Sequence, residues 1–126
     1  MSKFRKEEFM GLVNLDELSA LELAPGVSAQ VVTADTFTVA HVSIQQGSIL
    51  PEHTHYHEQV VNVTEGELEL TVEGKPYVLK AGKVMVLAPN IPHSGKALSD
   101  CKIVDVFHPI REDFRAASFG GYDDKK

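Results

Sequence analysis

Three histidines lie between Pro51 and Gln59, at His53, His55 and His57. In an extended chain, residues two apart face the same way, so His53, His55, His57 and Gln59 share one parity. Imidazoles at this spacing can converge on one ion. A further candidate, His93, ends the run Gly82 to His93, a strand-and-loop unit that could lie beside the first. Neutral imidazole suits Zn, Fe, Ni, Cu and Mn, and the amide oxygen of Gln59 is a weaker, harder donor. His57 reads better as a residue that orients a loop than as a fifth ligand. His41, inside a strand pattern, reads as structural or pocket-lining. Downstream, Asp105-Val-Phe107-His-Pro109-Ile-Arg111 holds a second set of chemical groups. On strand parity Asp105 and Phe107 face one side, and an Asp facing an apolar interior is costly unless paired or used. The planar fork of Arg111, just after that strand, suits a carboxylate. Its alternative partner is a nearby acid, Glu112 or Asp113.

These groups need a scaffold, and the rest of the chain supplies one. The 126 residues favour one domain. Twelve basic against 18 acidic residues give a net charge of −6, which argues against a general nucleic-acid binder. The single cysteine, Cys101, excludes an intrachain disulfide. No apolar run approaches the roughly 18 residues of a membrane span, and Met1–Met10 has no apolar signal core. A cytoplasmic protein is the simplest expectation.

Val13 to Leu23 is ambiguous between helix and strand, and Pro25-Gly26 ends it. Strand signals then dominate, over Val27–Thr33, Thr36–Gln45, Gln59–Thr64, Glu67–Val72, Tyr77–Leu79, Val84–Leu87 and Cys101–Phe107. In Glu67–Val72 the apolar residues Leu68, Leu70 and Val72 alternate with Glu67, Glu69 and Thr71, the period of a strand with one wet face. Glu65-Gly66, Glu73-Gly74 and Ala81-Gly82 mark turns. At least seven short strands, with no amphipathic helix between Val27 and Pro109, predict an all-β sandwich or barrel.

Gly47-x5-His53-x-His55-x3-Gln59-x6-Gly66 resembles the first cupin motif, and Gly82-x6-Pro89-Asn90-x2-His93 resembles the second. The resemblance implies a double-stranded β-helix, the cupin jelly-roll barrel, over residues 27–115. A short N-terminal extension over 1–26 and a C-terminal tail over 116–126 would flank it. It implies a divalent transition metal (Zn, Ni, Fe or Mn) held by His53, His55, Gln59 and His93. Gln59 stands where Glu is usual, which removes one negative charge and leaves the ion a better Lewis acid. Asn90 stands where Gly is common, which Asn tolerates by accepting left-handed backbone angles. The Asp105-x-Phe107-x-Pro109-x-Arg111 run, with His-Glu-Gln in the first motif, is similar to the KdgF-type cupins. Those proteins convert 4,5-unsaturated monouronates from pectin or alginate to linear keto forms. Carried over, the functional residues would be Gln59, Asp105, Phe107 and Arg111. The three residues between His55 and Gln59 are one fewer than such enzymes can show.

Three functions compete on this reading. The first is a metal-dependent enzyme acting on an unsaturated uronate or similar small carboxylated sugar. The second is a small metal-dependent dioxygenase, which Gln59 weakly disfavours. The third is a non-enzymatic metal- or ligand-binding cupin. Lys96 is a reserve cation, more simply read as a solvated charge. No nucleic-acid or membrane partner is expected. A homodimer is expected, because exposed sheet edges favour pairing, and Leu12–Val31 is the candidate element for exchange.

Overall fold

The structure is a computed structural model, and it describes residues 11–117. Residues 1–10 of the expected extension and residues 118–126 of the expected tail lie outside the described residues. Among the described residues, ten strands follow a 3-10 turn at Leu15–Glu17: β1 (Leu21–Ala24), β2 (Val27–Thr33), β3 (Thr38–Ile44), β4 (Ile49–His53), β5 (Glu58–Glu65), β6 (Glu67–Val72), β7 (Lys75–Lys80), β8 (Val84–Leu87), β9 (His93–Ala97) and β10 (Cys101–His108). A 3-10 helix over Glu112–Ala117 follows β10. There is no α-helix among the described residues.

The strands form two antiparallel sheets, of order β1-β2-β3-β10-β5-β8 and β4-β9-β6-β7. This is the all-β jelly roll that the sequence implies. Alternation builds its interior. In β2 every second residue from Val27 is buried, as it is in β3 from Thr38. Val31, Val63, Leu68, Leu87 and Ile103 meet between the sheets. Chain reversals fall on residues that accept positive φ. Glu73 and Gly74 both adopt it between β6 and β7, the requirement of a two-residue hairpin whose twist matches its strands. Asn90 takes φ 67°, the left-handed geometry expected of it.

The sheet starts before residue 27. β1 pairs with β2, and Leu21 and Leu23 pack on the core, so part of the expected extension belongs to the barrel. The stretch read as ambiguous over Val13–Leu23 is a 3-10 turn followed by a strand. The β1–β2 hairpin is paired within its own chain.

Candidate metal centre and cavity

His53 closes β4 and His93 opens β9, and the two are register partners across those strands. His55 follows in the loop to β5. Their rings stand 4.3 Å apart for His53 and His93, 5.0 Å for His55 and His93, and 5.6 Å for His53 and His55. One ring nitrogen from each lies within 4.8 Å of the other two.

The ring orientations have a common cause. Each Nδ1 faces a backbone carbonyl two residues away: Pro51 for His53 at 2.7 Å, His57 for His55 at 3.2 Å and Ile91 for His93 at 2.8 Å. A carbonyl that accepts the Nδ1 proton leaves the Nε2 lone pair free for an ion. The buried Nε2 of His93 has no hydrogen-bond partner. Burial, first, and then the Arg111 charge and the other imidazoles push His55 down to about 4. Burial also lowers His93, against the pull of its Ile91 hydrogen bond. Both rings are therefore neutral at neutral pH, the form that binds metal. The cluster fits a divalent ion.

Gln59 enters from β5, where it lies opposite Phe107 of β10. Its Oε1 is 3.1 Å from His55 Nε2, which leaves the NH₂ end for its neighbour Asp105. The amide thus sets its oxygen beside the His55 Nε2 lone pair, two donor atoms for one ion, and its NH₂ on the carboxyl group. Asp105 is half-buried as a residue, but its Oδ1 is sealed from solvent and has no partner. Desolvation raises its carboxyl to about 7, against the opposing effects of Gln59 and the Arg111 charge. A buried carboxyl poised near neutrality can both give and take a proton.

Arg111 follows the cis His108–Pro109 bond. Its backbone N–H donates to Thr38 Oγ1 at 3.0 Å. Its guanidinium lies over the rings of Phe107 and Phe114, 4.7 and 4.1 Å from their centroids. Nε and Nη2 donate to the two oxygens of Asp113, at 2.9 and 2.7 Å. The open alternative of a nearby acid is thus realised in Asp113. The Nη1 end makes no hydrogen bond among the described residues.

His53, Gln59, Asp105, Phe107 and Arg111 line one cavity of about 490 Å³, a volume suited to a small ligand. Three other residues singled out in the sequence lie outside this cavity. His57 is buried outside the three-histidine cluster, with Nε2 3.2 Å from the Ile110 carbonyl, so it holds the turn that carries Arg111. His41 faces out from β3 rather than lining the pocket. Lys96 is exposed on β9. The shared parity of His53 to Gln59 ends at His53, because residues 54–57 leave the extended conformation. Sequence reasoning gave Phe114 and Thr38 no role. Phe114 is an apolar residue beside a charged run, and Thr38 lies 73 positions from its partner, so neither carries a local signal.

Comparison with known proteins agrees with this architecture. The family model for the cupin domain matches residues 40–107. The pectin degradation protein KdgF of Dickeya dadantii is 30% identical over 102 residues, covering 79% of this chain and 93% of that protein. The HTH-type transcriptional regulator PuuR of Escherichia coli is also 30% identical, over 112 residues, but the match spans only 60% of that regulator. Among solved structures, KdgF from Halomonas sp. superposes with a TM-score of 0.77 at 24% identity, over 83% of this chain and 98% of that one. The strands that carry the histidines, the glutamine and the aspartate fall largely inside the matched region, and the chain belongs to the cupin domain family as a KdgF-like cupin.

Proposed function

We propose that this protein is a metal-dependent enzyme that converts 4,5-unsaturated monouronates, released from pectin or alginate, to linear keto forms. The observation that carries the reading is Asp105, which holds a buried, partnerless oxygen and lines one cavity with His53 of the imidazole cluster, Gln59 and Arg111. The likeness to a pectin degradation protein supplies the substrate class.

His53, His55, His93 and Gln59 Oε1 would hold the ion. When bound, a divalent ion supplies Lewis acidity that lowers the proton affinity of a sugar oxygen. Arg111 meets the uronate carboxylate through its Nη1 end, and Phe107 packs on the apolar face of the sugar. Asp105 takes the proton of the anomeric hydroxyl as the ring C–O bond breaks. The aldehyde forms at C1, and the ring oxygen leaves as an enolate on C5. Asp105 then delivers its proton to C4 as the enolate becomes the ketone. One proton moves from oxygen to carbon, and the reaction is a net isomerisation. Arg111 also offsets the acidic balance of the chain, which otherwise repels an anionic substrate.

The test follows the conjugated chromophore of lyase-generated 4,5-unsaturated galacturonate on metal-replete protein. Acceleration over the spontaneous reaction that is lost in Asp105→Ala is the expected result. No acceleration with metal bound would remove this substrate. It would favour the reading as a ligand-binding cupin, to which the likeness to a transcriptional regulator lends support.

A further inference from the structure

His57 faces two ways. Its backbone carbonyl lies 3.2 Å from Nδ1 of His55, and its side-chain Nε2 lies 3.2 Å from the carbonyl of Ile110, 53 positions along the chain. A carbonyl only accepts, so Nε2 carries the proton of the neutral ring. Nδ1 is then a buried lone pair with no hydrogen-bond partner. An orphaned buried acceptor is unfavourable, and an apolar side chain of similar size would leave none. What an apolar side chain lacks is the N–H on Ile110. The imidazole is only 5% exposed. Tyr56 stacks on it at 4.1 Å, and Phe107 of the cavity wall meets it edge-on at 6.4 Å.

Both ends of this link are themselves tied down. On the histidine side, the Asn90 N–H donates to the His55 carbonyl at 2.8 Å, and the Ile91 carbonyl faces His93 Nδ1. The loop of residues 54–57 is thereby joined to the loop that carries His93. On the other side, Arg111 follows Ile110. Its N–H is on Thr38 Oγ1, and its carbonyl accepts from the Phe114 N–H at 3.1 Å. The line of contacts runs from the His55 ring through the main chain and ring of His57 to the Ile110 carbonyl and Arg111.

We propose that His57 is a positioning residue that makes ion binding at the imidazole cluster and the placement of Arg111 one cooperative event. The proposal rests on the reading of the cluster as an ion site and not on the identity of the substrate. Ligation of His55 Nε2 draws electron density from the ring, and the Nδ1–H then donates more strongly to the His57 carbonyl. Residues 54–57 lie outside the strands, between β4 and β5, so contacts of this kind set their position. A main chain held at His57 holds the ring, the ring holds the Ile110 carbonyl, and Arg111 follows. The effect is reciprocal: whatever steadies Arg111 also tightens the ion. The guanidinium that lines the cavity is therefore steadied when the cluster is loaded.

Amide hydrogen exchange on the full chain, read by NMR without metal and with saturating zinc, tests this at the Arg111 and Phe114 N–H groups. In the wild type, zinc should slow exchange there by about fivefold or more, the lower end of ordinary coupling between sites. His57→Phe keeps the three imidazoles and the backbone carbonyl at position 57, so zinc should still bind it in a calorimetric titration. The slowing at the two amides should nevertheless fall below about twofold. His57→Gln offers a side-chain NH₂ to the Ile110 carbonyl and should restore it. Should His57→Phe fail to fold by circular dichroism, His57→Leu replaces it, and the wild-type comparison stands without any variant. Several results would overturn the proposal. Zinc could leave the wild-type cluster empty, or fill it without slowing the two amides. The slowing could survive in the apolar variants, which would route it elsewhere, or fail to return in His57→Gln, which would make the ring a space-filler. Equal slowing at every amide of both sheets would show general stabilisation in place of a link. The predicted pattern without uronate turnover would count against the proposed reaction and still support the link.

Discussion

Glutamine at position 59 has a physical reason next to Asp105. A glutamate there would set a second carboxylate against one already raised by burial. The amide instead sets a neutral oxygen beside the imidazole lone pairs and gives its NH₂ to Asp105. The raised carboxyl has a consequence for stability in metal-free protein. Between pH 3.8 and about 7 the unfolded chain loses this proton while the folded chain keeps it. Stability from this group therefore falls as pH rises through that interval, and the penalty is complete above it. Asp105→Asn removes the effect, on the order of a few kcal/mol. The difference in urea midpoint between Asp105→Asn and wild type should favour the variant at roughly pH 8 and shrink toward roughly pH 4. A difference independent of pH would show that the carboxyl ionises normally. The imidazoles give a second expectation. His93→Ala should weaken divalent-ion binding by more than about 100-fold, beyond the 10–100-fold that changes behind the ligands produce. Isothermal titration on folded variant reads this directly, and an unchanged affinity would remove the cluster as a metal site.

At the scale of elements, the histidines were legible because motif spacing survives in the chain, while two of the strands that carry them were not. β4 reads Ile-Leu-Pro-Glu-His, with no alternation, and β9 reads His-Ser-Gly-Lys-Ala, with weak strand formers. Both exist through pairing with each other, and β9 also with β6. Such pairing is long-range and leaves little local trace. The strands with clean alternation, β2 and β6, match their expected bounds. The turn into β6 is held by a glycine for two reasons. Gly66 has φ 83°, and a Cβ there would run into the Asp100 backbone carbonyl. Gly66→Ala should cost at least about 2 kcal/mol, visible as a lowered urea midpoint. A change within about 0.5 kcal/mol would contradict the rigid turn. The short helix after β10 contributes through Asp113, a positioning residue that grips the Nε and Nη2 edge of Arg111 and leaves Nη1 without a hydrogen bond among the described residues. Asp113→Ala should raise KM for a uronate about tenfold with little change in kcat, the signature of lost ground-state and transition-state binding alike. A lower KM would mean that Asp113 competes with the substrate for the fork.

Across the whole molecule, one end of the jelly roll gathers the groups that chemistry needs, and the other faces are left to packing. The family and its barrel were legible from two spaced motifs, and the gathering of Asp105, Phe107 and Arg111 into one cavity with His53 from the run that ends the last long strand and follows it. The cross-strand register of Val32, Val39, Val106, Val60 and Val86 was not, because a valine in one strand reads like any strand former until pairing lines up five of them. The central claim is that the imidazole cluster and Asp105 work as one site on an unsaturated uronate. It is tested most directly by titrating metal-free protein with a divalent ion and measuring occupancy and chromophore loss on the same samples. The account predicts a rate that starts at the spontaneous value, rises in proportion to occupancy and levels at one ion per chain. A full rate without metal, or none at full occupancy, would contradict it.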